Sequence, residues 1–166
     1  MINMPRPIDF VAVSDSIFFA AMSGSEFVMA VPDNLDGMKP MMILIIDDNS
    51  EDRSTYRRFL EPSGSYDIHE AENGEMGLDM ARRLRPSCIL LGLKLKDQSG
   101  LEVLVKLIDE VSTSTIPVIM VSTGIAKVVV DAALSFGASH FLMKGKFDAT
   151  TLDAAIRESV AKQTNR

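Results

Sequence analysis

A chain of 166 residues that is 46% apolar and 24% charged carries enough apolar side chain for one core, which excludes wholesale disorder. Its single cysteine, Cys88, excludes an intrachain disulfide framework, and a net charge of −6 excludes a general attraction to nucleic acid or anionic membranes. The most apolar stretch, residues 10–31, is broken by Asp15 and Glu26, so it suits neither a membrane span nor a signal peptide, and a cytoplasmic location is expected.

Residues 1–40 stand apart from the rest. They hold Pro5, Pro7, Pro32 and Pro40 and show no clean helical or strand period. The expectation is a poorly ordered N-terminal extension. The alternative is a docking arm that covers a partner with Phe10, Phe18, Phe19 and Phe27.

From residue 41 the pattern is regular. The apolar run 42–46 ends in Asp47 and Asp48 and reads as a strand buried on both faces, as parallel sheets require. Asn49 or Ser50 can cap a helix to about Leu60, with Glu51 and Asp52 in the first turn, where the helix dipole favours anions. A weaker strand at 66–71 is followed by a helix opened at Asn73 and Gly74 and ending among the arginines before Pro86. Residues 88–91 form a short buried strand, and a loop runs from Gly92 to Gly100. Leu101, Leu104, Val105 and Ile108 have helical spacing. A fourth strand at 116–121, a helix at 126–136 closed by Gly137, a fifth strand at 139–143 and a last helix capped by Asp148 complete the chain. Leu152, Ala155, Ile156 and Val160 line one face of that helix.

Strand and helix thus alternate, which predicts an α/β fold: a parallel sheet with helices on both faces and right-handed crossovers. Ligand chemistry in such sheets lies at the carboxyl ends of the strands. Those ends carry Asp47 and Asp48, Gly92, Ser122 and Thr123, and Lys144.

Several spaced segments carry a family likeness. They are Ile-Leu-Ile-Ile-Asp-Asp-Asn at 43–49, Ala-Glu-Asn-Gly at 71–74, Leu-Lys-Asp-Gln-Ser-Gly at 95–100, Pro-Val-Ile-Met-Val-Ser at 117–122 and Gly-Ala-Ser-His-Phe-Leu-Met-Lys at 137–144. In this order, residues 41–163 resemble the receiver domain of bacterial response regulators. The resemblance implies a flavodoxin-like, doubly wound (βα)5 domain over 41–166 with strand order 2-1-3-4-5. It implies that Asp47 and Asp48 match the family's Mg²⁺-holding pair, Ser122 the hydroxyl that bonds the phosphoryl group, Lys144 the lysine that pairs with that group, and Phe141 the aromatic switch.

One position departs decisively. The family's phosphoacceptor aspartate lies eight residues before a loop glycine, and counting back from Gly100 reaches Gly92. Glycine supplies no nucleophile. It also removes a metal ligand, so Mg²⁺ is expected to bind weakly at Asp47 and Asp48. Lys144 is then expected to pair with that acidic couple. Lys96 and Gly145 stand where the family often has proline, and Asp97 is expected to face solvent. Cys88 reads as a small buried hydrophobe. His69 and His140 fall too far apart in the expected fold for a metal site.

The reading is therefore a degenerate receiver of a two-component or phosphorelay pathway that is not an enzyme and acts by binding a protein. A histidine kinase, phosphotransfer or output protein would dock on the face of the fourth helix, fifth strand and fifth helix, where Val128, Val129 and Val130 follow one another. A homodimer remains open. No DNA-binding domain fits after residue 163, so the chain is either a stand-alone adaptor or one piece of a longer regulator. Two alternatives compete. One is a phosphoacceptor receiver carrying an Asp-to-Gly substitution at 92. The other, a flavodoxin-like electron carrier, is disfavoured because the acidic run 47–52 would repel a flavin phosphate.

Overall fold

Four short, mainly apolar runs and one mixed segment, Tyr66–Ala71, account for the central sheet. A computed structural model describes residues 11–12, 19–23, 26–30, 39–124 and 126–164. Two units divide the chain, Met1–Lys39 and Pro40–Arg166. In the first, β1 (Val11–Ala12), β2 (Phe19–Ser23) and β3 (Glu26–Ala30) form an antiparallel sheet in that order. The sequence shows no period there, yet β2 and β3 pair from Phe19 with Ala30 to Ser23 with Glu26. Of the four phenylalanines of the alternative docking arm, Phe10 and Phe18 lie outside the described residues.

The second unit contains β4 (Met41–Ile46), α1 (Ser50–Leu60), β5 (Tyr66–Ala71), α2 (Gly74–Leu84), β6 (Cys88–Gly92), α3 (Gly100–Asp109), β7 (Val118–Ser122), α4 (Lys127–Ser135), β8 (His140–Met143) and α5 (Ala149–Thr164). Its five strands are parallel in the order β5-β4-β6-β7-β8, the flavodoxin-like 2-1-3-4-5 arrangement. The last four residues of β4 and all of β6 and β7 are buried, which is why they read as continuous apolar runs.

Alternation along β4 divides the core into two layers. Leu44 and Ile46 pack with Leu78, Val103, Leu104 and Ala133 on the α2–α3–α4 side. Ile43 and Ile45 pack with Tyr56, Leu60, Leu152 and Ile156 on the α1–α5 side. With both faces covered, the reactive edge of the sheet is its carboxyl end.

The helix boundaries follow local chemistry. The Asn49 side chain caps α1 by accepting from the N–H groups of Glu51 and Asp52, and the Asp148 carboxylate accepts from the N–H of Thr151 in the first turn of α5. Pro117 precedes β7, so the strand starts at Val118, while its carbonyl still accepts from the N–H of Ile89. Among the described residues, no helix is long and apolar enough to cross a membrane.

Candidate functional site

Backbone pairing brings the strand ends together. Gly92 is in register with Val121, and Ser122 with Met143, so the residues after β4, β6, β7 and β8 share one rim. Ile46 leads directly into Asp47, whose N–H donates to the carbonyl of Ala71 at 3.1 Å.

Asp47 is 1% exposed, and both carboxylate oxygens have partners. Oδ1 accepts from the N–H of Asn49 at 3.0 Å, and Oδ2 accepts from Lys144 Nζ at 2.6 Å. Its carbonyl accepts from Arg53 Nη1 at 2.7 Å. The Lys144 ammonium also donates to Asp52 Oδ2 at 2.8 Å. Burial works against the charge on Lys144, but the bonds to Asp47 and Asp52 outweigh it and raise its pKa above the ordinary lysine value. Lys144 thus pairs with Asp47 as expected from the sequence, but its second partner is Asp52 where Asp48 was expected. Asp48 stays half-buried beside Asp47. Asp52 is the third residue of α1, and the cap at Asn49 turns it toward the strand ends.

Arg53 joins this centre to the sheet edge. Its Nε donates to Glu70 at 3.0 Å, and Arg57 Nε donates to the same carboxylate at 2.7 Å. Burial pushes the Glu70 carboxyl up, yet the two guanidiniums outweigh it and hold it below the usual carboxylate range. Behind Asp52, Tyr56 is buried and stacks on Phe147 at 5.8 Å.

Gly92 closes β6 and is buried. A β-carbon built there would lie 2.8 Å from Asp47 Oδ2 and 3.2 Å from Asp47 Cγ. The space a side chain would need at 92 is therefore filled by the Asp47 carboxylate, the same oxygen that receives Lys144. Ser122 is 8% exposed, and its Oγ accepts from the N–H of Gly124 at 3.4 Å. Ser122, Thr123, Gly124, Lys94 and Lys144 line a cleft of about 300 Å³ beside this rim. Phe141 is half-buried and packs against the core layer that includes Ala133 of α4. Gly145, just past Lys144, has φ +73°, a conformation closed to the proline common there in the family.

One residue that the sequence left idle has a structural role. Asp97 is exposed, yet its carboxylate spans the N-terminus of α2, accepting from Gly74 N–H at 2.8 Å and Glu75 N–H at 2.9 Å. His69 and His140 lie on the two edge strands, β5 and β8, at opposite sides of the sheet. Cys88 is fully buried, and burial pushes its thiol up to about 12.

The Mg²⁺ site that the resemblance implies would need a set of oxygen donors at this rim. Among the described residues, no three His, Cys, Asp or Glu side chains converge. Both oxygens of Asp47 are engaged, one of them by an ammonium, and Gly92 offers no carboxylate. Mg²⁺ demands near-octahedral oxygen ligands, and this donor set does not fit it.

Comparison with known proteins agrees with the fold. The family model described as response regulator receiver domain matches residues 43–157. The transcriptional regulatory protein YdfI of Bacillus subtilis (strain 168) is 32% identical over 125 residues, covering 73% of this chain and 57% of that protein. The polar-differentiation response regulator DivK of Brucella anthropi is 39% identical over 83 residues, covering 50% of this chain and 67% of that protein. The chain spans only 50% of the nitrate/nitrite response regulator NarL of Escherichia coli (strain K12), at 34% identity. Among solved structures, the CheY-like receiver domain protein of Methanospirillum hungatei JF-1 superposes with a TM-score of 0.69 at 25% identity, covering 76% of this chain and 98% of that one.

Proposed function

The chain belongs to the response-regulator receiver family of two-component signalling, and from that premise we propose that residues 41–166 form a cytoplasmic pseudo-receiver that signals by protein binding without aspartyl phosphorylation. The observation that carries this reading is the pairing of Gly92 with Asp47: the phosphoacceptor position holds no side chain, and a neighbouring carboxylate occupies its space. Aspartyl phosphorylation needs a carboxylate nucleophile and a metal to neutralise phosphoryl oxygens. Gly92 supplies neither the nucleophile nor a ligand, and Ser122 and Lys144 remain as positioning groups without a group to position. On this reading Mg²⁺ binds weakly at best, Phe141 serves as packing at the rim, and the chain is a signalling module and not an enzyme.

The partner surface in this reading is the α4–β8–α5 face. The α4 helix and its exit carry exposed apolar side chains, Val128 at 72% exposure, Leu134 at 46% and Phe136 at 47%. Exposed apolar side chains on one helix and its exit are what a docking protein would cover. Residues 1–40 are read as an extension to this module.

The test is incubation of the unmodified chain with acetyl phosphate and Mg²⁺, followed by intact-mass spectrometry. No added phosphoryl mass is expected. A phosphorylated product would mean that another residue accepts the group, and the pseudo-receiver reading would fall.

A further inference from the structure

We infer that Lys144, clamped between Asp47 and Asp52, replaces the divalent cation of this pocket, so that the centre is assembled and held without metal. This rests on the reading of Gly92 as an empty acceptor position.

Three observations carry it. First, the ammonium lies 2.6 Å from Asp47 Oδ2 and 2.8 Å from Asp52 Oδ2, with side-chain exposures of 15%, 1% and 28% for Lys144, Asp47 and Asp52. A charge buried to this degree is retained only with a close counter-ion, and each carboxylate here has one. Second, Gly92 makes the clamp possible. A β-carbon at 92 would sit 2.8 Å from the oxygen that holds Lys144, so any side chain there would force Asp47 away. Third, an incoming cation would meet positive charge on two sides, from Lys144 on the carboxylate and from Arg53 on the Asp47 carbonyl. Like charge at this range disfavours a further cation.

The contacts also tie distant parts of the chain. Lys144 follows β8, Asp47 follows β4, and Asp52 belongs to α1. The clamp therefore fastens α1 to the segment after β8 through charges the protein carries itself. A metal-dependent pocket would make that connection only when loaded. Asp52 is the positioning residue that distinguishes the arrangement, because it gives the ammonium a second carboxylate.

Isothermal titration with Mg²⁺ compares the unmodified chain with Lys144→Met and Asp52→Asn. The unmodified chain should show no millimolar binding and no rise in thermal midpoint with Mg²⁺. Lys144→Met should bind Mg²⁺ at least about tenfold more tightly and regain part of its lost stability. Asp52→Asn should lower the midpoint, and Mg²⁺ should not restore it. Equal Mg²⁺ affinity in the unmodified chain and Lys144→Met would overturn the inference. A second measurement needs no variant. Amine acylation followed by peptide mass mapping should modify Lys144 about tenfold more slowly than exposed Lys96, with or without Mg²⁺. Faster acylation of Lys144 when Mg²⁺ is added would show that the ion displaces it, and would also overturn the inference. Phosphoryl labelling of the unmodified chain strikes the reading of Gly92 alone, whereas these readouts strike the clamp.

Discussion

Asp97 and Gly74 are joined by a 2.8 Å hydrogen bond that ties the loop after β6 to the start of α2. With the 2.9 Å bond to Glu75 and the Asn73 side chain on the N–H of Met76, three N–H groups at the head of α2 are satisfied by side chains. The loop and the helix thereby fix each other. Burial would push the Asp97 carboxyl up, but those backbone donors outweigh it and hold it below the usual carboxylate range. Asp97→Ala should cost about 1–2 kcal/mol in urea unfolding and speed amide exchange at Gly74 and Glu75. Asp97→Asn keeps one acceptor oxygen and should cost less. No change in exchange at those two amides would show that the cap contributes nothing.

This contact illustrates what a linear reading misses. The strands were legible because β4, β6 and β7 are buried on both faces and must be apolar throughout. The helix starts were legible where the cap is a neighbour in sequence, as at Asn49, Asn73 and Asp148. Asp97 caps a helix 23 residues earlier, and Asp52 meets an ammonium 92 residues later. Neither contact has a local signature. For Asp52 the first-turn position already satisfied a dipole argument, and that hid its turn toward Lys144. The strands β2 and β3 were missed for a different reason. Phe19, Ala20, Ala21 and Met22 do not alternate apolar with polar, so no strand period marked the pair.

Cys88 sets an expected alkaline limit. Its folded pKa is raised to about 12 by burial, whereas an unfolded thiol titrates near about 8.5. A raised pKa means that the unfolded state loses its proton first. The contribution to stability is complete below about pH 8.5 and is lost as the pH climbs toward the folded value. Unfolding free energy should therefore fall above about pH 8.5, by at most about 1.4 kcal/mol per pH unit from this group. Cys88→Ala should be less stable at neutral pH, because it leaves a cavity, yet lose less stability between about pH 8.5 and 10. Parallel pH profiles for the two proteins would refute the assignment.

Arg85 ends α2 with φ 47° and ψ 63°, left-handed backbone directly before Pro86. A non-glycine residue is strained there, and glycine is the usual occupant of this helix-ending position. Arg85→Gly removes a β-carbon clash at the cost of added freedom in the unfolded chain. The net expectation is a gain of about 0.5–1 kcal/mol, read by urea unfolding. A loss of stability would mean that the arginine side chain supplies a compensating contact.

Gly92→Asp tests the proposed reading of position 92 as an acceptor position left without its carboxylate. The new β-carbon would lie 2.8 Å from Asp47 Oδ2, so the Asp47 carboxylate must swing away and loosen its bond to Lys144. Three carboxylates, Asp47, Asp48 and the new side chain, would then crowd one pocket and repel one another without a cation. The metal-free variant should be destabilised, and Mg²⁺ should restore part of the loss. Gly92→Ala separates the steric part: it adds the same β-carbon without charge, should cost about 1–3 kcal/mol, and should gain no response to Mg²⁺. Ser122 and the released Lys144 line the cleft beside this rim and would be the groups to serve an incoming phosphoryl group, and chemistry of this kind depends chiefly on positioning and charge. Gly92→Asp should therefore acquire an alkali-labile phosphoryl group from acetyl phosphate in the presence of Mg²⁺, whereas Gly92→Ala should not. If Gly92→Asp binds Mg²⁺ yet stays unlabelled, the lesion extends beyond the nucleophile. Gly145 would then be the next residue to change, because its φ of +73° places the segment after Lys144 in a conformation that proline cannot adopt.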